Sequence, residues 1–221
     1  MLEIIMSNKL SPEEFDWLQN RYLSLCEKSN ISEENGMLIF KKIEKKYNKK
    51  GRSYHNLSHI YSFLKTFDQS QLQNDYSIIF EWSIWMHDLV YNPLKKNNEL
   101  KSAKKTKKLL GKYLSEQHIT EIYEIILSTA RHQLYYQEDH HKLFLDIDLA
   151  IFASERKVYQ KYTEAIREEY KMFPNFLYKK GRRGVLNHFL NRENIFFTSH
   201  FQNQYENIAR ENLNWELENL I

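Results

Sequence analysis

An all-α fold is predicted by three features of the 221-residue chain. Glycine (five) and proline (three) are few, strand-like alternating runs are scarce, and apolar residues recur at three- and four-residue intervals. The clearest run is Trp82-Ser83-Ile84-Trp85-Met86-His87-Asp88-Leu89-Val90-Tyr91-Asn92-Pro93, in which Trp82, Trp85, Met86 and Leu89 mark a helix face pressed into a core. The run stops at a proline, just past a His and an Asp that would be costly to bury unpartnered. A divalent cation is the economical explanation. Hydrogen bonding of His87 to a carbonyl, with Asp88 as a cap, is the bland alternative.

An aromatic share of 14% supports an ordered core. The length suits one domain over residues 1–221, with a core at about 50–155 and flanking helices over 11–48 and 156–221. The net charge of +3 is too mild a basic bias to imply nucleic acid as a partner. A single cysteine, Cys26, excludes an internal disulfide and fits a reducing compartment. The apolar Leu2-Glu3-Ile4-Ile5-Met6 is too short and too acidic for a signal peptide, and no run approaches a membrane span. A soluble, cytoplasmic protein with no membrane partner is expected; its oligomeric state is left open.

The elements follow in order. Ser11-Pro12-Glu13-Glu14 is a capping box with proline inside the first turn, and predicts a helix through Phe15, Leu18, Tyr22 and Leu25. Ser32-Glu33-Glu34 opens a second, with Met37, Phe40, Ile43 and Tyr47 inward and an exposed Lys/Glu face over 41–50. Asn56 or Ser58 can cap a third, carrying Tyr61, Leu64 and Phe67. His55 and His59 share a face of it if the helix includes His55. After the His87-Asp88 helix and a polar loop, one helix is predicted from Asn98-Glu99 through Tyr113. Another, from Ile119 to Arg131, delivers His132 at its end.

Within Leu143-Phe144-Leu145-Asp146-Ile147-Asp148-Leu149-Ala150-Ile151-Phe152, two carboxylates interrupt an apolar stretch. On a helix they cannot share a face, so one at most points at a common site, and at least one should meet a cation. Further helices are expected around Tyr170–Pro174, then a basic turn at Lys179-Lys180-Gly181-Arg182-Arg183-Gly184, then a last helix with Tyr205, Ile208, Leu213 and Trp215.

His59, the His87-Asp88 pair and Asp148 each lie on or beside a predicted helix with a buried face. Imidazole and carboxylate suit Mn²⁺, Mg²⁺, Fe, Zn²⁺ or Ni²⁺, and no thiolate favours a purely structural zinc site. Four side chains leave positions open on a six-coordinate ion for water and substrate, which is a catalytic layout.

The order His…His-Asp…Asp resembles the HD superfamily of metal-dependent phosphohydrolases, and most of all a subgroup of predicted, uncharacterised members. The pattern stands here as Tyr54-His55-Asn56-x-x-His59-Ile60, His87-Asp88-x-Val90-Tyr91-Asn92-Pro93, Asn98-Glu99-x-x-Ser102-Ala103 and Asp146-x-Asp148-Leu149-Ala150-Ile151. Ile125-x-x-x-Thr129-x-x-His132, Arg167-x-Glu169-Tyr170 and Gly181-Arg182 agree as well, so the resemblance runs from residue 10 to the C-terminus.

The resemblance implies an all-α HD-like bundle with a C-terminal helical extension and a divalent metal held by His59, His87, Asp88 and Asp148. Asp146 is set aside, because the ligand in related sequences is the second of such a pair. His55 is assigned to substrate phosphate or to the surroundings of the metal, and His132 to a second metal or to phosphate. Glu99 is either a general acid or base or the N-terminal carboxylate of its helix. His140 and His141 have no counterpart and are expected on a surface loop.

The implied reaction is hydrolysis of a phosphate ester or anhydride of a nucleotide or other small phosphorylated metabolite by metal-activated water. Arg52, Lys179 and Arg182 are candidates to hold phosphate, against the plainer reading of each as a surface cation. Two alternatives are carried: a catalytically silent nucleotide-binding module, and a di-iron oxygenase in which His132, with Glu99 or His55, completes a second iron site.

Overall fold

The computed structural model describes residues 9–70 and 77–220; the Leu2–Met6 stretch lies outside them. The described residues form ten α-helices and one 3-10 turn, with no strand among them. These are α1 (Pro12–Lys28), α2 (Glu33–Tyr47), α3 (Leu57–Gln69), α4 (Ser77–Met86), α5 (Asn98–Leu110), α6 (Glu116–Ser128), α7 (Asp139–Asp148), the turn Ala150–Ala153, α8 (Arg156–Glu169), α9 (Asn175–Leu190) and α10 (Ser199–Asn219). No helix of the described residues is long and apolar enough to cross a membrane.

The predicted caps set the first three starts. The Glu14 amide donates to Ser11 Oγ at 3.2 Å while Glu14 Oε2 accepts from the Ser11 amide at 2.7 Å, so both halves of the capping box are present. Ser32 caps α2. Asn56 caps α3 through Oδ1, which accepts from the Ser58 amide at 2.8 Å. α3 therefore begins after His55, and His55 and His59 do not share a helix.

Aromatic packing joins these elements. Trp82 and Trp85 of α4 are fully buried, and Tyr22 of α1 meets both rings edge-on at 5.7 and 5.1 Å. Phe63 of α3, Phe80 of α4 and Phe144 of α7 form a second cluster, with Phe63 and Phe144 4.8 Å apart. The His87 ring packs against Phe63 and Phe144 at 5.7 and 5.9 Å, so this cluster is the dry floor beneath it. Truncating one such ring to alanine is expected to cost about 3–5 kcal/mol.

The C-terminal helices are tied to this body by polar bonds. Asn212 of α10 donates to the carbonyls of Phe152 and Ser154 at 2.8 and 2.9 Å. Arg182 of α9 forms a two-pronged pair with Glu216 of α10, at 2.6 and 2.9 Å. The expected basic turn over 179–184 is instead the middle of α9: its two glycines are carried by a helix fixed through Arg182 and the buried Leu186 and Phe189. Conversely, Tyr170–Pro174 is the connection between α8 and α9, where Pro174 stands just before the first helical residue.

Candidate metal centre

The last turn of α4 and the two residues after it build the first half of the site. The His87 amide donates to the Ser83 carbonyl at 2.9 Å, extending the helical ladder by one bond, and the Leu89 amide closes a turn onto Met86. His87 Nδ1 lies 2.9 Å from the Ile84 carbonyl. A carbonyl can only accept, so Nδ1 carries the proton and Nε2 is the atom presented to the site. His59, in the first turn of α3, places its Nε2 3.1 Å from His87 Nε2.

Asp148, the last residue of α7, supplies the other half. Its Oδ1 lies 3.4 Å from His59 Nε2 and 3.7 Å from His87 Nε2. Asp88 Oδ2 lies 3.2 Å from His87 Nε2. The ligand atoms of His59, His87 and Asp148 all fall within 4.8 Å of one another, a grouping that could hold a metal ion. The donor chemistry fits a cation: two imidazole nitrogens facing at 3.1 Å can share only one proton, and carboxylates flank them.

The electrostatics agree. Burial opposes charge on His87, yet Asp88 and then Asp148 outweigh it and push the imidazole up to about 9. Burial pushes Asp88 up, but the imidazoles of His87 and His55 hold it below the usual carboxylate range. His59 moves the other way, lowered by burial and by the charge on His87. Asp88 and Asp148 are thus both held ionised beside the imidazoles, a grouping that could hold a positive ion.

These side chains open on a cavity of about 870 Å³ lined by His55, Asp88, Glu99, His132 and Asp148, among others. Comparison of the chain with protein-family models, with curated proteins and with solved structures finds no match. The chemistry of the cavity therefore rests on its own residues.

His55 lines it from outside α3. Its Nδ1 sits 2.6 Å from Glu169 Oε2, and Glu169 Oε1 accepts from the amides of Tyr54 and His55 at 2.9 and 3.0 Å. Burial works against charge on His55, but Glu169 and Asp88 raise its affinity for a proton. Tyr91 stacks on the ring at 4.1 Å and 26°. His132 follows α6 in a left-handed conformation, φ 46°, and places Nε2 3.0 Å from Asp148 Oδ2. Glu99, in the first turn of α5, has its proton affinity raised by burial, partly offset by a backbone hydrogen bond and reinforced by Asp88.

Asp146 points away from the cluster. It accepts from the amides of Phe197 and Thr198 and from Thr198 Oγ1, at 2.6–2.8 Å, and burial against these bonds leaves it at about 7. Its partners are hydrogen-bond donors at the start of α10, not a cation.

Neither Arg52 nor Arg182 is a plain surface cation. Arg52 donates to the carbonyls of His55, Asp88 and Leu89 at 2.8–3.3 Å, fastening the His55 loop to the His87-Asp88 turn. Arg182 lines the cavity, but its charge is met by Glu216. Lys179 is not among the lining residues. The other cations on the wall are Lys95 and Arg131, neither of which has an ion-pair partner among the described residues.

His140 and His141 correct the expected surface loop. They lie in the first turn of α7, both buried, with His140 Nε2 2.6 Å from Glu121 Oε1. Glu121, His140 and His141 form a second group of donors that could hold a metal.

Lys95 and Arg131 were missed in the sequence, and Glu169 stood in the Arg167-x-Glu169-Tyr170 pattern without a role. Lys95 follows Pro93 in the loop after the His87-Asp88 turn, and Arg131 precedes His132, so adjacency was the available signal. The Asn98-x-x-x-Ser102 spacing also finds its use. Asn98 bonds both the amide and the carbonyl of Asn92, and Ser102 Oγ bonds both backbone groups of Val90, which holds the loop following Asp88.

Proposed function

We propose that the protein is a cytoplasmic, metal-dependent phosphohydrolase that cleaves an ester or anhydride bond of a nucleotide or other small phosphorylated metabolite. The observation that carries the reading is the convergence of His59, His87, Asp88 and Asp148 beside a cavity that also presents Lys95 and Arg131. The resemblance of the same residues to the HD superfamily supports it.

These four side chains would hold a divalent cation, which would supply an activated water near neutral pH and neutralise phosphoryl oxygens. The chain's own residues do the rest. Lys95 and Arg131 offset the remaining phosphate charge. Glu169 accepts the Nδ1–H of His55 and raises the proton affinity of the ring, favouring the imidazolium, whose Nε2–H binds a phosphate oxygen or protonates the departing one. His132 donates from Nε2 to Asp148 and fixes the direction of that carboxylate. Glu99, which holds its proton more tightly than an ordinary glutamate, is a second proton store on the wall.

The test is phosphate release from a panel of nucleotides and sugar phosphates with added Mn²⁺. Wild type releases phosphate, and Asp88→Ala is slower by about 10³-fold while keeping its helical circular dichroism. Full turnover by an Asp88→Ala protein that has lost its metal sinks the reading, and tight nucleotide binding without product marks a binding module instead. One observation favours a di-iron oxygenase: the two oxygens of Asp148 face different histidines, His59 and His132, so the residues present would offer donors to a second metal. Two irons per chain and oxygen-dependent turnover would establish it.

A further inference from the structure

Helix α9 carries Gly181 and Gly184 in its interior, where each costs helix stability relative to alanine. Close packing commonly explains such glycines. It does not here, because a Cβ at either position would meet no atom within 4 Å. With Leu177, Val185 and His188 they recur at three- and four-residue steps, which is one face of the helix. That face is uncovered: Leu177 is 46% and Val185 43% exposed. All five residues line the cavity that reaches His87, Asp88 and Asp148.

The cavity is in the size range of sites that enclose a drug-sized molecule, far more than a phosphate group needs. Its remaining wall is rich in rings, among them Tyr54, Tyr91, Phe152, Tyr170 and Phe189. Flat side chains of this kind bind a flat apolar group by stacking or edge contact. The polar end of the ligand is provided for by the metal-binding cluster, Lys95 and Arg131.

Resting on the hydrolase reading, we infer that the bare face of α9 holds the organic part of the substrate, that this part is an aromatic ring system, and that Gly181 and Gly184 set the size admitted. A side chain at 184 would occupy the space the ring system takes. The helix does not need the glycines for its own sake: it is fixed on its other sides by the Arg182–Glu216 pair and by buried Leu186 and Phe189.

The experiment compares phenyl phosphate with 1-naphthyl phosphate, with Mn²⁺, in wild type, Gly184→Leu and Asn187→Leu. Asn187 is exposed on α9 and is not a cavity residue. Gly184→Leu is expected to lower the naphthyl-to-phenyl ratio of kcat/KM by about tenfold or more, and Asn187→Leu to leave that ratio alone. Gly184→Ala is expected to lower the ratio while raising Tm by about 2–4 °C, a gain in stability that a structural glycine would not give.

Calorimetric binding of 1-naphthylphosphonate needs no turnover and separates the two readings. Binding that weakens about tenfold in Gly184→Leu, in a protein that hydrolyses neither ester, removes the hydrolase and keeps the wall. An unchanged ratio in an active enzyme overturns the wall and keeps the hydrolase. Failure of wild type to bind the phosphonate also overturns the wall.

Discussion

Helix α7 has a pair of histidines and a carboxylate at each end. At its start His140 and His141 meet Glu121 of α6; at its end Asp148 meets His59 and His87. The donor types are the same, and the surroundings are not. A helix N-terminus carries partial positive charge and disfavours a cation, whereas the C-terminal end favours one. His140 and Glu121 are already closed on each other at 2.6 Å, while the second group faces a cavity with Asp88 beside it. None of Glu121, His140 and His141 lines that cavity. Donor identity alone does not set one group apart from the other; the dipole, the open side and the neighbouring charges do.

The largest effect expected from this contrast is in metal content. His87→Ala should lower the affinity for Mn²⁺ and the rate by about 10³-fold, while His140→Ala and His141→Ala change neither by more than about twofold. Equal metal loss from both sets of variants, measured by elemental analysis after dialysis, would break the contrast.

A middle effect is expected at Glu169, whose histidine lines the cavity, whereas the histidine that Glu121 holds at the other end of α7 does not. Glu169→Gln should slow turnover by about 10²-fold with metal content intact. Glu169 raises the proton affinity of His55 against burial, so removing its charge lets burial dominate and lowers that affinity. The limb on which activity falls with rising pH should therefore move to lower pH. A limb that stays in place would take His55 out of the reaction. The smallest effect is at the wall: Lys95→Ala or Arg131→Ala should raise KM about tenfold with little change in kcat. A KM that does not move would leave the phosphate end of the cavity without its cations.

What could be read in the sequence was what depends on near neighbours. Ser11, Ser32 and Asn56 cap the helices they were expected to cap, because a cap is settled within four residues. Asp146 and Asp148 diverge as residues two apart on a helix must. What was misread depends on distant partners. Glu169 lies 114 residues from His55, and Arg182 lies 34 from Glu216, so neither bond leaves a local trace. Gly181 and Gly184 inside a basic run look like a turn, and only tertiary packing makes that segment helical. His140 and His141 had no local pattern to set them apart from a polar loop.

Helix α10 supplies no ligand, yet it fastens three parts of the site. Thr198, at its start, grips Asp146 two residues before Asp148; Asn212 grips the turn that follows; Glu216 grips the helix that carries the bare wall. A chain growing from its amino end therefore exposes all four candidate metal ligands about 70 residues before the last of these fastenings can close. A nonsense codon between residues 190 and 198 would leave every candidate ligand in the polypeptide and remove all three fastenings, so a truncated product carrying an intact motif set is no evidence of a working protein.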